Sequence, residues 1–264
     1  MKSERKMYLN KIKREKILVL TVQIMVLLLF LFSWEFAANN GIIDSFITSS
    51  PSRILKTFVN FSENDLLLHT KVTCIETIVG FLVGTILGSI IAMILWWSKF
   101  ISKVIDPYLV VLNSLPKVAL GPIIIIWFGA GTKSIIVMAI AISLIVTILD
   151  ILNGFIGTDK EIIKMAETFN ASKLQVLTKI VIPANISTFI NSLKINIGLS
   201  LVGVISGEFL ISKAGLGYLI TYGGQVFKLD LVMSSVIILG IVAGIMYLSV
   251  MILERIILKQ RIKS

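Results

Sequence analysis

Six long apolar runs dominate this chain, at residues 17–38, 72–97, 104–128, 134–155, 184–210 and 231–253. A helix needs about 20 mostly apolar residues to cross the hydrocarbon core of a bilayer. In lipid the backbone must satisfy its own hydrogen bonds, so runs of this length read as helices. Composition agrees, because 56% of the 264 residues are hydrophobic and only 15% are charged, where a soluble domain carries about 25%. The expected fold is all-α: a polytopic membrane protein with about six transmembrane helices and a cytoplasmic helix-turn-helix loop between spans four and five. Basic residues before the first run give it the outline of a signal peptide. Its length and the five runs that follow favour a retained helix.

Lysine and arginine collect on the cytoplasmic side of membrane proteins. With six crossings, 17 of them fall on the side of the N-terminus and 5 on the other, while Lys71, Lys117 and Lys194 lie in or at spans. An odd number of spans would spoil that asymmetry, so both termini of a multi-pass plasma-membrane protein are expected in the cytoplasm. The organisation expected is a basic N-terminus (1–16), a transmembrane domain (17–254) holding the loop 157–183, and a basic tail (255–264). The net charge of +10 would suggest nucleic acid in a soluble protein. Here the charges sit in short segments between spans, so the lipid bilayer is the expected partner and nucleic acid is not.

Lipid gives helices little hydrophobic reason to associate, and close approach at small residues matters instead. Gly80, Gly84 and Gly88 form such a stripe in the second span, and Gly203/Gly207 and Gly240/Gly244 repeat the spacing. The third span is interrupted by Pro107, Pro116, Gly121 and Pro122, and breaks of this kind are tolerated where backbone lines a cavity or is buried in protein. Asn113 and Lys117 lie beside the break. A lysine at mid-depth needs a partner or water; Lys117 either faces a translocation pathway, or reaches the headgroups or neutralises Asp106 or another helix. Glu76, Asp150 and Lys194 lie nearer span ends, where interfacial roles are expected.

The loop 157–183 is the most informative stretch. Thr158 with Glu161, and Ser172 with Gln175, have capping-box spacing, which satisfies two orphan backbone donors at a helix start. Two short helices are expected, at 159–169 and 173–182, separated by Asn170 in the left-handed conformation that ends a helix, with Pro183 either ending the second or opening the fifth span at its first turn. Ile162, Ile163, Ala166 and Phe169 make an apolar side on the first, opposite Lys160, Lys164 and Glu167. Such an element either lies on the headgroups or fits a groove on a soluble partner.

At this loop the chain resembles the permease subunits of binding-protein-dependent ABC importers. Lys164-Met165-Ala166 stands in the place of that family's Glu-Ala-Ala, Asn170 in that of its Gly, and Ile180-Val181-Ile182-Pro183 matches the end of the signature at the same spacing. Ser49-Ser-Pro-Ser52, Gly80-Phe81 with Gly84 and Gly88, Leu115-Pro-Lys-Val-Ala-Leu-Gly-Pro122, Trp127-Phe-Gly-Ala-Gly131, Glu208 and Gly215-Leu-Gly-Tyr-Leu-Ile220 are similar to the nitrate/sulfonate/taurine branch. The resemblance covers about residues 45–255. It implies an importer built from two permease copies, two cytosolic ATP-binding subunits and an external substrate-binding protein, with ATP and Mg on the ATPase and no cofactor in this chain. It also implies a small solute of the sulfonate, nitrate, taurine or vitamin-precursor type. Ile162, Ile163, Lys164, Met165, Ala166, Phe169, Asn170, Ala171 and Pro183 would form the ATPase-docking element, and Asn113, Pro116, Lys117 and Glu208 would belong to the pathway.

No enzyme is expected. Gly129-Ala-Gly-Thr-Lys-Ser134 hints at a phosphate loop, but no glycine directly precedes Lys133, as that loop requires. His69 is the single histidine and Cys74 the single cysteine, so no metal set or internal disulfide is expected. An ion-coupled secondary transporter would show inverted repeats and acids in span centres, and neither is evident. A non-transporting membrane scaffold would not need the broken third span.

Overall fold

The computed structural model describes residues 2–59 and 65–261. The end of the basic tail, residues 262–264 with Lys263, lies outside them, as does residue 1. Among the described residues every regular element is a helix. These are α1 (Lys2–Asn39), α2 (Ser45–Thr48), α3 (Pro51–Val59), α4 (Leu66–Trp97), α5 (Lys99–Ser114), α6 (Gly121–Phe128), α7 (Thr132–Ile156), α8 (Lys160–Thr168), α9 (Lys173–Val176), α10 (Ile182–Ala184), α11 (Ile186–Ile211), α12 (Leu216–Gln225) and α13 (Leu229–Arg261). Five segments are long and apolar enough to cross a membrane: Asn10–Asn39, Leu66–Trp97, Thr132–Ile156, Ile186–Ile211 and Leu229–Ile257. A bent pair supplies a sixth. The outer helices run past their apolar stretches because the polar flanks continue the helical register.

The third span departs from one interrupted helix over 104–128. α5 continues through Pro107 and stops at Ser114, a short 3-10 turn covers Lys117–Leu120, and α6 follows. The two arms meet at 91°. Pro116 is the cause, since the residue before a proline is driven out of the helical region. Leu115 is extended accordingly, at φ −66° and ψ 141°. Pro122 sits in the first turn of α6, where its missing N–H has no helical acceptor to lose.

The chain divides into two compact units. The first, residues up to 59 with 223–234, is organised by two carboxylates. Glu35 accepts from the Ser52 backbone N–H at 3.0 Å and its hydroxyl at 2.8 Å. Asp230 accepts from Ser49 at 2.7 Å and from two Arg53 nitrogens at 2.8 and 3.1 Å. These bonds pin the Ser49-Ser-Pro-Ser52 stretch.

The second unit, residues 65–222 with 235–261, is built on α4, α7 and α11 packed against one another. A Cβ at Gly80 would lie 2.6 Å from that of Ala139, one at Gly84 would overlap the Ser143 hydroxyl, and one at Gly88 would lie 2.6 Å from the Thr147 Cβ. Gly203 approaches the other side of Ala139, where a Cβ would lie 2.6 Å from its Cα. The small face of α7 is thus clasped between two glycine-bearing helices. Gly240 and Gly244 differ: both face open space in this chain. The buried hydroxyls donate up their own helix, Ser143 to Ala139 O and Thr147 to Ser143 O, both at 2.9 Å. Asn196 of α11 then donates to Thr147 Oγ1 at 2.6 Å. Lys194 forms an ion pair with Glu254 at 2.6 Å, with both side chains about one-fifth exposed.

Candidate functional site

The loop between α7 and α11 folds as a helix-turn-helix whose two ends are capped differently. Asp159, not Thr158, is the N-cap of α8: its carboxylate accepts from the Glu161 N–H at 2.8 Å. Thr158 instead donates to Gly154 O and accepts from Asn185 at 2.7 Å, which ties the start of the loop to its end. The expected Thr158–Glu161 box is therefore absent, since the aspartate one position later reaches the same donor. Asn170 has φ 57°. The Ala171 N–H returns to Ala166 O at 3.0 Å and that of Asn170 to Glu167 O at 2.9 Å, the two bonds of a Schellman stop. The Ser172–Gln175 box is complete, with Gln175 N–H to Ser172 Oγ at 3.3 Å and Ser172 N–H to Gln175 Oε1 at 2.7 Å. Replacing Ser172 by alanine is expected to cost about 1 kcal/mol and to lower the melting temperature by about 2–4 °C, as a thermal scan of the purified protein would read.

The second loop helix is shorter than the expected 173–182. After Val176 it widens into a π turn over Leu177–Val181 before α10. Pro183 removes the donor that a regular turn would return to residue 179, and the chain relaxes into the wider turn.

The apolar side of α8 splits in two. Ile163 and Ala166, with Ala171, sit half-buried on a core formed by Ile151, Leu152, Phe155, Val176, Leu177 and Val181. Ile162, Met165 and Phe169 point away, the last 80% exposed; Lys164 and Asn170 are exposed beside them, and Pro183 is half-buried. Lys173 donates to the Trp97 carbonyl and lies 5.4 Å from that ring's centroid. The loop is therefore fastened to the ends of α4 and α7 while one apolar face stays uncovered.

At the broken span Lys117 Nζ donates to Asn113 Oδ1 at 3.1 Å; Asn113 is exposed and Lys117 half-buried. A cavity of about 520 Å³ beside the break is lined by Pro116, Val118, Ala119, Pro122, Ser206 and Phe209, among others. Neither Lys117 nor Asn113 lines it. Glu208 is elsewhere, 1% exposed inside the bundle. It accepts from Thr73 at 2.7 Å and from the Gly217 N–H at 2.6 Å. His69 and Thr73 complete this knot by accepting the N–H groups of Gly215 and Leu216 at 2.9 and 2.8 Å. Gly215 adopts φ +117°, and a Cβ there would overlap the Glu208 carboxyl. Sequence reasoning placed Glu208 in the pathway and missed His69 and Thr73 as its companions. Glu76, expected near a span end, is 2% exposed, turned into the bundle on the face of α4 that also carries Thr73 and Gly80. The glycine-rich turn at 129–131 begins α7, with the Ser134 hydroxyl donating to the carbonyls of Gly129 and Gly131 at 2.7 and 2.8 Å.

Residues 84–263 match the family model described as binding-protein-dependent transport system inner membrane component. A protein of Haemophilus influenzae named "Probable ABC transporter permease protein" is 31% identical over 83% of this chain and 89% of its own length. The formylaminopyrimidine transport permease protein of Halalkalibacterium halodurans is 24% identical over 90% of this chain and 94% of that one. Among solved structures, an inward-facing methionine ABC transporter superposes with a TM-score of 0.64 over 71% of this chain and 93% of that one, at 14% identity. That likeness bears on the fold.

Proposed function

We propose, for a chain that belongs to the binding-protein-dependent transport system inner membrane components, the following division of labour. The bundle forms the translocation pathway, entered beside the broken third span, with Asn113, Pro116 and Lys117 at the bend. An external binding protein delivers a small solute of the sulfonate, nitrate, taurine or vitamin-precursor type; the formylaminopyrimidine carried by one relative is of the last kind. Both termini and the loop 157–183 face the cytoplasm, two copies of the permease pair, and each loop docks on one of two cytosolic ATP-binding subunits. ATP-driven closure of the ATPase pair turns the cavity outward and hydrolysis returns it inward.

The observation that carries this reading is the split face of α8. Ile163 and Ala166 weld the helix to the bundle, so force on its outer face reaches α4 and α7 without loss in a flexible joint. Ile162, Met165 and Phe169 offer that outer face to a groove, in the manner of helix-in-groove recognition. Affinity purification of the full chain from its own membranes is expected to bring an ATP-hydrolysing subunit whose turnover rises when the binding protein and its solute are added. Solute uptake by vesicles holding the chain alone would overturn the proposal.

A further inference from the structure

Glu76 of α4 is a buried acid whose chemistry the transport reading leaves unused. It is 2% exposed, and neither carboxyl oxygen meets an N–H or O–H donor in hydrogen-bond geometry. The side chains facing it are Thr132 and the carboxyl of Glu208. An ionised carboxylate in that position would be buried with no compensating donor and beside a like charge, the arrangement that proteins avoid at greatest cost.

Hydrogen-bond direction bears on which acid is charged. Thr73 Oγ1 accepts the Leu216 N–H, so its single proton points to Glu208 Oε1. Glu208 Oε2 takes the Gly217 N–H. Both oxygens of Glu208 are therefore acceptors, as in a carboxylate. The other titratable groups nearby are His69 and Cys74. His69 accepts the Gly215 N–H at Nδ1, so it is the neutral imidazole and supplies no counter-charge; the Cys74 thiol is half-buried on the same helix.

We propose that Glu76 is a neutral carboxylic acid that donates its proton to the Glu208 carboxylate, and that this shared proton holds the Gly215–Tyr218 turn against α4 and α11. The proton removes the like-charge repulsion and supplies the donor that Glu76 otherwise lacks. It makes Glu76 a positioning residue for the start of α12, at the end of the bundle opposite the α8 loop. The role holds whatever solute the pathway takes.

Infrared spectroscopy of the full chain in lipid at neutral pH tests it directly. A protonated-carboxyl C=O band, moved by exchange into deuterated water and lost in Glu76→Gln, is expected. Glu76→Gln keeps a donor of similar shape and is expected to melt within about 2 °C of the wild type, whereas Glu208→Gln loses the acceptor for Thr73 or Gly217 and falls by about 5 °C or more. Absence of the band in the wild type would overturn the proposal even if Glu208→Gln fails to fold. So would a Glu76→Gln protein as damaged as Glu208→Gln. A melting temperature that rises with sodium or potassium would likewise overturn it, in favour of a bound monovalent cation between the two acids.

Discussion

Gly84→Leu is expected to leave little folded protein in the membrane. A bare Cβ at this position already overlaps the Ser143 hydroxyl, and leucine adds three further carbons. α4 and α7 must then part, which also opens the Gly80–Ala139 and Gly88–Thr147 approaches on either side. Overpacking a tight core costs about 1–3 kcal/mol when the neighbours can shift, and more when they cannot. Here they cannot, because Gly203 of α11 pins Ala139 from behind. Lipid offers no hydrophobic drive to restore the bundle, and total stability is only about 5–15 kcal/mol. Gly240→Leu is the control: it faces open space and is expected to give wild-type yield. Size-exclusion profiles and melting temperatures of the two variants decide the matter, and a monodisperse, wild-type-stable Gly84→Leu protein would defeat the packing argument.

What could be read from the sequence was what depends on periodicity and on local chemistry. Apolar runs gave six spans because a bilayer imposes one length on every helix that crosses it. Asn170 was legible as a left-handed stop, and the Ser172–Gln175 box as a cap, because both act within four residues. Pro116 marked a break, but not its angle. The extended Leu115 turns the chain by 91° only because the 3-10 turn after it redirects α6, and no propensity encodes that sum.

The misreadings share a physical cause, in that they concern which way a side chain points across the bundle. Thr158 had the spacing of a cap, yet its hydroxyl serves Asn185, 27 residues on. Glu76 was read for its place near a span end, and the face of α4 that turns it into the bundle was not read. Gly240 and Gly244 carry the same spacing as Gly203 and Gly207, but only the second pair meets a neighbour within the chain. The Glu208 knot joins residues 135 apart in sequence to a turn nine residues on. A carboxylate followed at that distance by Gly-x-Gly was the signal available, since glycines there let backbone N–H groups close on an anion.

The α8 face divides its own mutants in a way that separates docking from folding. Phe169→Glu, combined with Met165→Glu, changes side chains that are 80% and 57% exposed and lie outside the set packed on the bundle's core. The double variant is expected to melt as the wild type does, to retain its place in the membrane, and to lose the ATPase. Removing a central aromatic anchor from a helix-in-groove contact costs about 2 kcal/mol or more, which is about 30-fold in affinity, and the buried carboxylates add to that. Retention of the ATPase on the purified chain, and its stimulation by the binding protein, should both fall at least about tenfold. Ala166→Asp behaves differently because Ala166 lies half-buried against the bundle's own core. It should lower the melting temperature along with coupling, since a carboxylate there has no partner. Equal ATPase retention by the wild type and the Phe169/Met165 double variant would show that the exposed face is not the docking surface, whatever becomes of Ala166→Asp.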